Sequence, residues 1–86
     1  MRLDKYLKIS RVIKRRTLAK DNIDIGFVKI NDKIAKPSTT IKEGDILELT
    51  LGERVLTIRV LSLLPYSKKD EASSMYEIIN DNFIKN

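Results

Sequence analysis

The 86-residue chain contains no cysteine and no histidine, and those two absences exclude more chemistry than any residue present. Without them there is no disulfide, no thiolate nucleophile, no imidazole base and none of the usual zinc or haem ligands. The three glycines never gather into a run that cradles a phosphate. No apolar stretch approaches the roughly 20 residues needed to cross a bilayer, and the N-terminus alternates charge with hydrophobe where a signal peptide would show an apolar core. The expected compartment is the cytoplasm. A domain of this size buries only about 60% of the surface its unfolded chain exposes, so room for a deep catalytic cavity is scarce.

What the chain does have is positive charge in one place. The first twenty residues hold eight Lys or Arg against the single acid Asp4, a net of +7, while the other sixty-six carry nine bases and eleven acids. The eight are Arg2, Lys5, Lys8, Arg11, Lys14, Arg15, Arg16 and Lys20. They are interleaved with Leu3, Tyr6, Leu7, Ile9, Val12 and Ile13, the pattern of a folded surface that meets a polyanion.

Hydrophobic periodicity supplies the scaffold. Positions 3, 6 and 7 fit one face of a short helix over 3–9, and a second helical stretch spans about 11–25, ended by Gly26. From residue 27 the period changes. Residues 27–30 and 33–36 read as two strands around an Asn31-Asp32 turn, and 46–51 and 55–64 as two more. Two helices followed by four strands predict an α+β fold in which the N-terminal helices pack on a small antiparallel sheet. The folded domain is expected over 1–64, with residues 65–86 as a polar C-terminal tail that either docks or stays mobile.

On a helical wheel Arg16 and Lys20 lie side by side and border the apolar line of Ala19 and Ile23. A side chain rooted at that edge has its stem held by packing, which aims its charge. Arg2 is the least explained by structure, because a base at a helix N-terminus opposes the dipole by up to about 1 kcal/mol. The acids offer weaker chemistry. Asp21 with Asp24, and Glu43 with Asp45, have no hydrophobic sequence surroundings to raise a pKa, so helix solvation and turn formation account for them. Ser38, Thr39 and Thr40 lack a visible base. Tyr6, Tyr66 and Tyr76 are candidates for stacking on bases, although Tyr6 at helical spacing with Leu3 and Leu7 also fits the core. Neither a catalytic residue, a metal site nor a cofactor is expected.

Several blocks together carry a resemblance: Arg2-Leu3-Asp4-Lys5-Tyr6-Leu7, Arg16-x-x-Ala19-Lys20, Gly26-x-Val28-x-Ile30-Asn31, Lys36-Pro37-Ser38 and Gly44-Asp45. In this order and spacing they resemble the S-four (S4) RNA-binding domain, an alpha-L-type motif, over about residues 2–51. The resemblance implies that two helices present a basic surface to structured RNA, with Arg2 and Arg16 as principal contacts and the other six cations as the surrounding field. Arg11-x-x-Lys14-x-Arg16 and the tail residues Lys68, Lys69, Glu71, Ala72, Met75 and Tyr76 look like the stand-alone, ribosome-associated branch of that family. The partners so implied are large-subunit ribosomal RNA, a P-site peptidyl-tRNA and a factor that adds C-terminal tails to stalled chains, met by a monomer. The same resemblance leaves open large-subunit recycling or general binding of structured RNA. Two positions depart from the family pattern: Asp32 replaces a usual Gly in the hairpin turn, and Lys20 replaces a frequent Arg, exchanging a planar fork for a point charge. A membrane-surface role would need bulky anchors that a small sheet domain requires for its own core.

Overall fold

The computed structural model describes residues 1–65 and 68–83. Along the chain run α1 (Leu3–Ile9), α2 (Arg16–Asp24), β1 (Val28–Ile30), β2 (Lys33–Ile34), β3 (Ile46–Leu51), β4 (Arg54–Val60), α3 (Lys69–Ala72), a 3-10 turn (Ser73–Met75) and β5 (Tyr76–Phe83). All neighbouring strands are antiparallel, in the order β2-β1-β3-β4-β5. This is the expected α+β architecture with one more strand than the apolar pattern indicated.

The core follows from two periodicities meeting. Alternation buries Leu47 and Leu49 of β3 and Leu56, Ile58 and Val60 of β4, and the register sets Leu47 opposite Ile58 and Leu49 opposite Leu56, so one face of the sheet is continuously apolar. Onto it α1 delivers Leu3, Tyr6 and Leu7 and α2 delivers Ala19 and Ile23, residues three and four apart that share one helical face.

The Asn31-Asp32 turn forms as read, with both residues in the left-handed region at φ 48° and 69°, as a two-residue hairpin of primed type demands. Asp32 therefore takes the conformation that Gly would hold more cheaply. Asn31 adds a staple. Its Nδ2 donates to Asp45 Oδ1 at 3.1 Å, and its Oδ1 accepts from the Ile46 backbone N–H at 3.0 Å. The other Asp45 oxygen accepts from the Lys42 N–H at 2.9 Å, which makes this buried acid a turn residue.

Three element boundaries differ from the sequence reading by two residues or more. The second helix begins at Arg16, not near residue 11. Arg11 adopts φ 62° and ends α1, after which the Ile13 N–H donates to the Leu7 carbonyl at 3.1 Å and Ile13 drops into the core, 6% exposed. β2 stops at Ile34. β4 stops at Val60, because the Leu61 and Ser62 N–H groups leave the ladder and donate to the Met75 carbonyl at 2.8 and 3.2 Å.

That carbonyl also accepts from the Tyr6 hydroxyl at 2.7 Å. Residues 76–83, read from sequence as part of a tail, pair with β4 from Val60↔Tyr76 to Arg54↔Phe83 around an irregularity at Thr57/Ile58. Arg54 meets Asp81 through two bonds of 2.6 and 2.8 Å, and Arg59 meets Glu77 at 3.0 Å. These pairs are exposed and fix register more than stability. Burial pushes the Tyr6 phenol above its ordinary pKa, with the nearby Tyr76 adding to the rise, so it stays a donor. Tyr6→Phe keeps the ring and deletes the bond. The expected loss is about 1–2 kcal/mol of unfolding free energy, measured by urea denaturation with an unchanged slope.

Candidate RNA-binding surface

The two arginines singled out from sequence sit at the starts of the two N-terminal helices. Arg2 is the extended N-cap of α1, tied to the rest of the chain by an antiparallel bridge to Thr40. Arg16 is the first residue of α2, following Arg15 in extended conformation. Both side chains converge on Asp4. Arg2 Nε donates to Oδ1 at 3.2 Å and Nη2 to Oδ2 at 3.1 Å, while Arg16 Nη2 donates to Oδ1 at 3.4 Å. The Lys5 backbone N–H completes the set at 2.7 Å.

Exposure divides this cluster into a buried anion and two accessible cations. The Asp4 side chain is 3% exposed, whereas those of Arg2 and Arg16 are 51% and 49% exposed. Their inward N–H groups are spent on the carboxylate and their outer edges face solvent. Two guanidiniums on one carboxylate leave a net single positive charge. Asp4 also answers the objection to a base at the start of α1, since an acid in the first turn offsets the cation at the helix dipole.

Arg2, Asp4, Arg16, Thr17 and Lys20 line one open cleft of about 300 Å³. Sequence reasoning placed Arg2, Arg16 and Lys20 among the contacts, and the fold brings these three together. Lys5, Lys8, Arg11, Lys14 and Arg15 do not line the cleft. All but the half-buried Lys5 are exposed, and Lys8 occupies the last turn of α1, where a cation suits the helix terminus. A segment absent from the predicted set also arrives here. Leu3 N–H donates to the Thr39 carbonyl at 2.9 Å and Asp4 N–H to the Pro37 carbonyl at 3.2 Å, setting exposed Lys36, Ser38 and Thr40 beside the start of α1.

Asp4 is the residue that sequence reasoning missed. Its signal was its position as the lone acid among eight cations, two residues from Arg2. Of the tyrosines, Tyr6 is fully buried and is a core residue, so it stacks on no base. Tyr76 is half-buried on β5, and Tyr66 lies outside the described residues.

Burial works to raise the Asp4 pKa, but the hydrogen bonds from Arg2 and the Lys5 N–H, with the charge and hydrogen bond of Arg16, outweigh it and hold the carboxyl below its ordinary 3.8. A depressed folded-state pKa contributes stability that is complete above the unfolded value and is lost as pH falls through the folded one. Thermal melts of Asp4→Asn from pH 5 to pH 2 are therefore expected to show a shallower acid decline than wild type. At neutral pH the variant is the less stable of the two.

Comparison with known proteins places this geometry in context. The S4 domain family profile matches residues 1–47. The chain is 49% identical over 81 residues, 94% of its length and 92% of the relative's, to the RQC P-site tRNA stabilizing factor of Streptococcus pneumoniae. It is 48% identical over 81 residues to the protein of the same name from Bacillus subtilis, covering 94% of each. Among solved structures, the trimeric heat shock protein 15 of Vibrio cholerae superposes with a TM-score of 0.85 at 32% identity, over 91% of this chain and 80% of that one.

Proposed function

The chain belongs to the S4 domain family, and from that premise we propose that it is a non-catalytic, cytoplasmic RNA-binding protein of the large ribosomal subunit. In this reading it engages ribosomal RNA and a P-site peptidyl-tRNA, and supports a partner factor that adds C-terminal tails to stalled nascent chains. The name of its relatives in Streptococcus and Bacillus, RQC P-site tRNA stabilizing factor, supports the P-site tRNA as a ligand.

The observation that carries the proposal is the shared anchoring of Arg2 and Arg16 on Asp4, with Lys20 lining the same cleft. A ribose-phosphate contour needs cations at fixed separations, and a planar guanidinium binds a phosphate bidentately only when its orientation is set. Structured RNA offers proteins mainly shape and backbone, which a rigid two-helix face reads without base contacts. Lys5, Lys8, Arg11, Lys14 and Arg15 supply the wider field that draws the polyanion in.

The salt dependence tests this directly. With about six phosphates neutralised, the logarithm of the affinity for isolated large subunits falls against the logarithm of salt concentration with a slope near −4 to −5. A filter-binding titration from low to physiological salt measures it, and a flat line sinks the proposal. A second reading, large-subunit recycling, follows from the same family resemblance. Sedimentation separates the two: co-migration with subunits that retain peptidyl-tRNA and acquire tails supports the first, and co-migration without tailing supports the second.

A further inference from the structure

Asp4 poses an electrostatic puzzle. A carboxylate is set within a surface whose proposed ligand is a polyanion, where its own charge weakens attraction. It is also buried, which costs solvation. In the first turn of α1 Asp4 accepts the Lys5 N–H at 2.7 Å and suits the helix dipole, but neither role calls for a contact with the next helix. What Asp4 does accomplish is visible in its partners: two bonds from Arg2 and one from Arg16, twelve residues further on in the next helix.

We propose that Asp4 is a positioning residue for RNA, a buried carboxylate that locks the Arg2 and Arg16 guanidiniums into one rigid pair and so strengthens the grip on a phosphate backbone despite its negative charge. The inference rests on the reading of the cleft as the RNA site. Arginine side chains are rich in rotamers, and immobilising them on binding costs affinity. Asp4 meets that cost during folding. It holds the inward N–H groups and leaves the outer ones aimed at the cleft, as a pre-organised site requires. Because both arginines share Oδ1, their relative placement is set by one atom.

The sign of a single substitution separates positioning from charge. Asp4→Asn removes a negative charge from the surface, so if Asp4 only diluted the field, binding to isolated large subunits would tighten by about two- to fivefold. If it positions the arginines, binding weakens by about tenfold. The second arm places Asp4→Asn in an Arg2→Ala/Arg16→Ala background at low salt, where residual attraction is measurable. With nothing left to position, only the charge term remains, and the substitution there tightens binding.

That reversal of sign is a readout a merely structural role would not produce. Equal or tighter binding by Asp4→Asn in the otherwise natural chain, while Arg16→Ala still loses binding, overturns the positioning role and leaves the RNA reading standing. Undiminished binding by Arg16→Ala overturns both. Circular dichroism checks the fold of each variant. Should Asp4→Asn not fold, Nε relaxation on the unsubstituted protein decides: order parameters for Arg2 and Arg16 above those of Arg11 and Arg15 uphold the proposal, and equal ones overturn it.

Discussion

The Arg2→Ala/Arg16→Ala variant is expected to leave the large-subunit fraction of a sucrose gradient and remain near the top, as a folded protein. A charge-assisted hydrogen bond contributes about 1.5–3 kcal/mol, so each single variant should lose roughly 10- to 150-fold in affinity. The two losses will not add simply, because both side chains lean on one carboxylate. Removing Arg16 lets Arg2 keep its two-point contact with Asp4, while removing Arg2 leaves Arg16 with a single longer bond of 3.4 Å. Arg2→Ala should therefore disturb its neighbour more than the reverse. The double variant leaves Asp4 with only the Lys5 N–H, which costs stability, and adding Asp4→Asn should recover part of that loss by removing the unpaired charge. Continued sedimentation of the double variant with large subunits would show that the cleft is not the contact.

The largest effect on stability is expected outside the region that the family profile covers. Met75 is fully buried in the same cluster as Tyr6, Leu7 and Ile58, and its carbonyl collects the Tyr6 hydroxyl and two backbone N–H groups. Truncation to Ala empties part of a close-packed site and should cost about 2–5 kcal/mol. For a domain of this length each kcal/mol moves the melting temperature by roughly 4–8 °C, so a fall of about 8 °C or more is the expected result in a calorimetric scan. A loss below about 0.5 kcal/mol would mean that residues 1–64 hold their fold without this docking.

The elements that sequence reasoning recovered are those whose signals are local. β3 alternates cleanly and was read with its observed ends. The Asn31-Asp32 turn is legible because short polar side chains tolerate left-handed backbone. The start of α2 was not legible, since the helix break depends on Arg11 adopting φ 62°. That conformation is dictated by Ile13 reaching the core, and Arg11 itself gives no hint of it. β5 was invisible for another reason. Tyr76-Glu77-Ile78-Ile79-Asn80-Asp81-Asn82-Phe83 lacks strict alternation and is exposed along nearly its whole length, so its order comes from β4, Arg54 and Arg59. For the candidate site, charge density revealed the cations and the helical wheel grouped Arg16 with Lys20. The wheel had no means of bringing Arg2 across from another helix, and the role of Asp4 exists only in three dimensions.

The bond between Tyr6 and the Met75 carbonyl joins positions 69 residues apart, and this bears on how the protein is made. Synthesis proceeds from the N-terminus, so the first helix emerges long before its last packing partner exists. Closing so wide a loop is entropically uphill until distant contacts reward it, which slows acquisition of the native state. The basic α1 and α2 are thus made while the core is still open at one end, and completion of the core waits for Met75 and β5 to be translated.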